Sequence, residues 1–217
     1  MKDCVVFCDF DGTITKEDTV CRFLDLYAEK EWRNLEDLCI EGKLSPRVCM
    51  EKQLSLVKPP AEFQMKSFIN NLEIDETFIS FFKYVRELGV EFNIVSDGLD
   101  YFIQAILSRY SLKGIKVFSN KLVFDNGNLI PSFPFYHDSC KRGSGVCKCS
   151  LLEKYKKTKK TVYIGDGVSD YCASGTADFL FAKKRLASYC TENKIPFTKF
   201  EFFSDIHSYF LHSENAL

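Results

Sequence analysis

Two aspartates one residue apart, Asp9 and Asp11, close the apolar run Val5-Val6-Phe7-Cys8 and are followed at once by Gly12. The run predicts a buried strand, and the glycine predicts a sharp turn at its end. Side chains alternate faces along a strand, so both carboxylates leave on one side while Phe10 turns away. Two like charges held that close call for a cation or a shared proton. Mg²⁺ suits them, being a hard ion that takes carboxylate and substrate phosphate oxygens together. Asp and Gly are also ordinary turn residues, so the stretch gains weight only from its company.

That company is two more strand ends. The apolar run 90–95 ends in Ser96-Asp97-Gly98, and the run 161–164 ends in Gly165-Asp166-Gly167-Val168-Ser169-Asp170. In a parallel sheet such ends share one edge, where open α/β sheets bind ligands. Asp166 would bring a third carboxylate to a cation held at Asp9 and Asp11, and Asp170, four residues on, would orient that shell. These four acids are the candidate metal residues. Ser96 offers a hydroxyl, and the turn through Asp97 and Gly98 offers backbone N–H groups, as a phosphate requires. Lys148 supplies a fixed cation, standing just before a helix that a Ser150/Glu153 capping box would open.

The elements around these residues fall into two styles. Residues 18–88 read as helix after helix. Phe23, Leu24, Tyr27 and Ala28 recur at helical spacing, Ser45-Pro46 opens a later helix, and Asp75 caps one that presents Phe78, Phe81, Phe82 and Val85 before Gly89 ends it. Elsewhere strands alternate with helices, with further strands near 116–118, 179–181 and 197–199 and a hairpin turn at Asp125-Asn126-Gly127. Alternation predicts an α/β fold with a doubly wound parallel sheet. The helical stretch then reads as a cap, 15–81, inserted into a core of 1–14 and 82–217. Hung on the first strand-end loop, it would cover the site as a lid, with Glu17, Asp18 and Trp32 as candidates to touch substrate.

Composition narrows the partners. The 217 residues carry 29 Lys and Arg against 30 Asp and Glu, a formal charge of -1 that gives no reason to expect a nucleic-acid or membrane-surface partner. No apolar run is long enough to cross a bilayer, which points to a soluble, cytoplasmic protein. Ten cysteines in a chain of this length read mostly as free thiols. Cys140, Cys147 and Cys149 cluster with His137. Zinc is a possible use for them, but Cys147 and Cys149 are one residue apart where zinc pairs usually leave two to four, so reduced thiols are the expected state.

Asp9-Phe10-Asp11-Gly12-Thr13, Ser96, Lys148 and Gly165-Asp166-Gly167-Val168-Ser169-Asp170 resemble the four motifs of the haloacid dehalogenase superfamily. The helical insertion resembles the cap of its phosphoserine-phosphatase-like branch. Within that branch, Trp32, the segment from Val95 to Phe102 and the cysteine-rich loop before Lys148 are most similar to the 2-hydroxy-3-keto-5-methylthiopentenyl-1-phosphate phosphatases of methionine salvage. Asp97 and Cys149 depart from that pattern, which has glycine and proline there. The resemblance implies a Mg²⁺-dependent phosphomonoesterase for a small phosphorylated metabolite. Asp9 would be the nucleophile that forms an aspartyl-phosphate and Asp11 the acid and base, with Asp11 binding Mg²⁺ through its backbone carbonyl. The alternatives are the same chemistry on phosphoserine, phosphocholine or a nucleotide, or a non-catalytic binding module.

Overall fold

The computed structural model describes residues 3–212. Its sheet runs β4-β3-β2-β1-β5-β6-β7 among the described residues. These strands are β1 (Cys4–Cys8), β2 (Glu91–Leu99), β3 (Lys116–Asp125), β4 (Asn128–Ser132), β5 (Lys160–Gly165), β6 (Phe179–Ala182) and β7 (Thr198–Lys199). All neighbours pair in parallel except β3 with β4, which are antiparallel. The strand order reverses between β1 and β5, which creates the crevice where ligands of such sheets bind.

Both faces of the sheet are covered. Every residue of β1 is buried; Val6 and Cys8 join one apolar cluster while Val5 and Phe7 join the other. This is why β1 reads as a continuous apolar run rather than an alternating one. One face packs against α1 (Thr19–Tyr27), α5 (Thr77–Glu87), α6 (Asp100–Arg109) and α10 (Phe203–His212). The other packs against α7 (Lys148–Lys156), α8 (Tyr171–Ser174) and α9 (Lys184–Glu192).

Between β1 and β2 the chain forms α1, α2 (Trp32–Ile40), α3 (Pro46–Ser55) and α4 (Glu62–Asn70) before reaching α5. Asp18 caps α1 by accepting the Cys21 N–H at 2.8 Å. Phe23 of α1 and Phe68 of α4 pack on Phe102 of α6, with ring centroids 5.1 and 5.2 Å away, tying these helices to the sheet layer. In α5, Phe78 and Phe81 pack against Phe203 of α10. Asp75 accepts the Thr77 N–H at 2.9 Å and the Phe203 N–H at 2.8 Å, so it starts one helix and binds it to another. A boundary at 81/82 would cut α5 in two. We propose the antiparallel bridge Thr15–Ile74 as the joint between cap and core instead.

Three elements differ from the sequence expectation. β2 does not end at Val95; it continues through Ser96-Asp97-Gly98 to Leu99, with a shift of register against β3. β3 runs unbroken from Lys116 into the hairpin, where Asn126 and Gly127 take the positive φ angles the turn requires. α7 begins at Lys148 rather than after a Ser150 cap. Cys147 is still extended, and the Ser150 hydroxyl donates to the Cys147 carbonyl at 3.0 Å, so it is spent inside the first turn.

Candidate active site

Parallel register sets the level of the site. Cys8 pairs with Ile94 and with Ile164, and Gly165 pairs with Ala182. The residues just beyond these pairs, Asp9, Val95-Ser96, Asp166 and Lys183-Lys184, therefore emerge at one edge. The Asp9 N–H is held by the Ile164 carbonyl at 2.8 Å, which fixes where its side chain leaves the sheet.

Asp9 is 4% exposed, and its Oδ1 lies 2.9 Å from Lys148 Nζ. Lys148 is fully buried. Its ammonium also bonds Asp170 Oδ1 at 2.6 Å and Ser169 Oγ at 3.0 Å. Burial opposes charge on this lysine, but Asp170, Asp9 and Asp97 together outweigh it and push its pKa above the ordinary value. The position is far from that of a solvated surface lysine.

Asp170 has both oxygens engaged. Lys148 and the Tyr163 hydroxyl donate to Oδ1, and the N–H groups of Asp166 and Gly167 donate to Oδ2 at 3.0 and 2.9 Å. It thus holds the Lys148 ammonium and the turn that carries Asp166. Asp166 accepts from Thr13 Oγ1 at 3.0 Å and from Lys184 Nζ at 2.9 Å. Lys184 also donates to the Gly12 carbonyl at 2.6 Å, and Lys183 to the Thr13 carbonyl at 3.1 Å.

Asp11 turns toward the cap. Its Oδ1 accepts the Thr19 N–H at 2.9 Å and the Thr19 hydroxyl at 2.6 Å, and its Oδ2 lies 3.4 Å from Ser96 Oγ. The first turn of α1 thereby anchors this carboxyl. Burial, with the charge of Asp18 behind it, raises the Asp11 pKa to about 7, a value from which a carboxyl can give or take a proton near neutrality.

Gly98 allows the approach of β2 to Asp11. A Cβ there would lie 2.1 Å from Asp11 Oδ2 and 3.0 Å from Ser96 Oγ, so any larger residue would push the Asp11 carboxyl from its place. Its N–H donates to Ser96 Oγ at 2.9 Å and orients that hydroxyl. Asp97 points elsewhere. Its Oδ1 accepts the Val146 N–H at 2.8 Å and its carbonyl accepts from Asn120, so it secures the loop that delivers Lys148.

The donor set fits a hard dication. Asp9, Asp166 and Asp170 each offer an oxygen within 4.8 Å of the others, and all three are buried. Burial, followed by repulsion from Asp170, drives the Asp9 pKa well above the carboxylate range despite Lys148. Two ammonium groups leave this cluster acidic, and a divalent ion at Asp9 and Asp166 would relieve it.

Over these residues lies a cavity of about 350 Å³, walled by Asp9, Asp11 and Ser96 from the sheet and by Leu24, Glu36 and Met50 from the cap. Asp18 lines it as well. Trp32 does not: it is 4% exposed and packs in the apolar cluster. Glu17 faces solvent beside Arg22. Thr19, Lys183 and Lys184 were missed by the sequence reading. The end of β6 was a fourth strand end at the same edge, and Ala182-Lys183-Lys184 was the available signal.

A family described as Putative Phosphatase matches residues 4–209. A 2-hydroxy-3-keto-5-methylthiopentenyl-1-phosphate phosphatase from Brevibacillus brevis is 30% identical over 208 residues, covering 94% of each chain. One of the same name from Bacillus cereus is 31% identical over 210 residues, covering 95% of each. Among solved structures, a substrate-bound phosphoserine phosphatase superposes with a TM-score of 0.71 at 21% identity, covering 96% of this chain and 98% of that one. The family match over nearly the whole chain and the two relatives place the chain in the Putative Phosphatase family, as a phosphatase.

Proposed function

We propose that this protein is a Mg²⁺-dependent phosphomonoesterase that works through an aspartyl-phosphate. The observation that carries the proposal is the pairing of Asp9 with the buried Lys148 at one strand end, with Asp11 held two residues on by Thr19 and Ser96. Asp9 attacks phosphorus; Asp11 protonates the leaving alkoxide and then takes the proton of the attacking water. Ser96 Oγ and Lys148 Nζ bind phosphate oxygens, a task of positioning and charge neutralisation. Asp9, Asp166 and the Asp11 carbonyl would hold Mg²⁺, which neutralises charge on the transferring group. Asp170, its oxygens taken by its own chain, positions Lys148 and the Asp166 turn. Asp97 and Gly98 shape the phosphate site, through the Val146 loop and through the close approach to Asp11.

The substrate is a small phosphorylated metabolite enclosed by the cap. The names of the two relatives favour the methylthiopentenyl phosphate of methionine salvage, and the leaving group would lie along Leu24 and Met50. No described helix is long and apolar enough to cross a membrane, and all ten cysteines are free, which supports a place in the cytoplasm.

A panel of small phosphates tests the proposal. The salvage intermediate should have a kcat/KM on the order of 10-fold or more above phosphoserine, phosphocholine and nucleotides. EDTA should stop every reaction and Mg²⁺ restore it. Undiminished hydrolysis in EDTA would contradict the metal requirement, and a preference for another phosphate would contradict the substrate.

A further inference from the structure

The cavity over the phosphate site has walls of different character. Every Lys and Arg that lines it, namely Arg142, Lys184 and Arg185, comes from the core. The cap contributes mainly apolar side chains such as Leu24 and Met50, together with two carboxylates, Asp18 and Glu36, and one amide, Gln53. The occupant's far end therefore meets an apolar wall with a few polar groups set into it, an arrangement in which those groups fix orientation and choice of ligand.

Glu36 and Gln53 are joined to each other. Gln53, in α3, is 4% exposed, and its Nε2 donates to Glu36 Oε2 of α2 at 2.9 Å. That bond occupies the amide nitrogen and one carboxylate oxygen. Among the described residues no group donates to Glu36 Oε1 or to Gln53 Oε1, and neither oxygen is sealed inside the protein, so both are open to the cavity. Asp18 is engaged as the cap of α1, where it accepts the Cys21 N–H. An acceptor taken out of water without a donor is costly, so a ligand that covers this pair must bring donors of its own.

We propose that Glu36 and Gln53 select the substrate, accepting hydrogen bonds from hydroxyl groups of an uncharged leaving group. The inference rests on the phosphomonoesterase reading above and deepens it. With the phosphate held at Ser96 and Lys148, the leaving group extends toward the cap, where hydroxyls satisfy both free oxygens. A plain alkyl chain in the same place leaves those two acceptors dry. A chain ending in a carboxylate sets a second anion against Glu36 and Asp18. An ammonium would suit Glu36, but it shares the cavity with Arg142 and Arg185.

The bond between Glu36 and Gln53 also braces α2 against α3, and the two roles differ in what they alter. A brace alone lowers the rate of every ester together when it is removed. Recognition changes the ratio between an ester with hydroxyls and one without, because only the first loses a contact. The ratio is therefore the quantity to measure.

The test compares kcat/KM of the Mg²⁺-loaded protein for four esters of one chain length: pentyl, 2,3-dihydroxypentyl, 4-carboxybutyl and 5-aminopentyl phosphate. The diol ester should exceed each of the other three by about 10-fold or more. Glu36→Leu should bring the diol-to-pentyl ratio to within about 2-fold of unity, and Gln53→Leu, at the other end of the bond, should lower it as well. Calorimetry of the diol and pentyl esters on Asp9→Asn reads the same preference with no turnover. Tighter binding of the diol there, with no ester hydrolysed by the parent, would count against the proposed function alone. A parent that binds and hydrolyses the diol and pentyl esters equally, a preference for the amine or carboxylate ester, or leucine variants that slow both esters and keep their ratio would overturn the proposal.

Discussion

Asp9→Asn is expected to lower turnover by on the order of 10⁴-fold or more, with the fold intact. The amide is nearly isosteric but cannot attack phosphorus as a carboxylate does, and it removes one negative charge from the candidate metal set. The metal-free variant should melt no lower than the parent. Asp9 is buried among like charges, burial being the larger cause of its raised pKa and Asp170 the next, so neutralising it relieves repulsion while Lys148 keeps Asp170. Circular dichroism with a thermal scan separates the two effects. Retained turnover would remove Asp9 from its role, and a collapsed fold would show that its charge is structural.

Lys148→Met is expected to cost both activity and stability. Lys148 is fully enclosed, and its ammonium is the cation between Asp9 Oδ1 and Asp170 Oδ1. Removing one partner of a buried charge cluster leaves the others unpaired, at a cost of about 3–5 kcal/mol. For a chain of this size that corresponds to a melting temperature lower by roughly 6–20 °C in the metal-free protein. Loss of the phosphate-facing charge should lower kcat by on the order of 10³-fold. A methionine variant with parental melting temperature and kcat would refute both the buried pairing and the phosphate contact.

Much of this site was legible because its residues sit where the apolar pattern breaks. The strand runs ending in Asp9, Ser96 and Asp166 each announce a polar strand end, and parallel topology then forces convergence. What stayed hidden depends on packing. Lys148 looked like a residue ahead of a helix, but extended Cys147 makes it the first helical residue and the loop held by Asp97 buries it. Asp170 looked like a ligand as much as a support; only the four donors around its oxygens reveal how fully its own chain engages it. Trp32 stood with Glu17 and Asp18 as a candidate to touch substrate, yet it packs in the apolar cluster while Leu24 and Met50 wall the cavity. Which face a cap helix turns inward is a tertiary property that helical spacing alone leaves open. Thr19 escaped notice because its hydroxyl gains meaning only once α1 is brought over Asp11.

The central claim is that Asp9 itself carries the phosphoryl group. The most direct test is to quench the enzyme in acid during turnover, reduce it with borohydride and sequence the peptides by mass spectrometry. Reduction converts a phosphorylated aspartate to homoserine, and the conversion is predicted at Asp9 alone, dependent on substrate and absent in Asp9→Asn. Conversion at Asp11 or Asp166, or none at any carboxylate while turnover proceeds, would contradict the account.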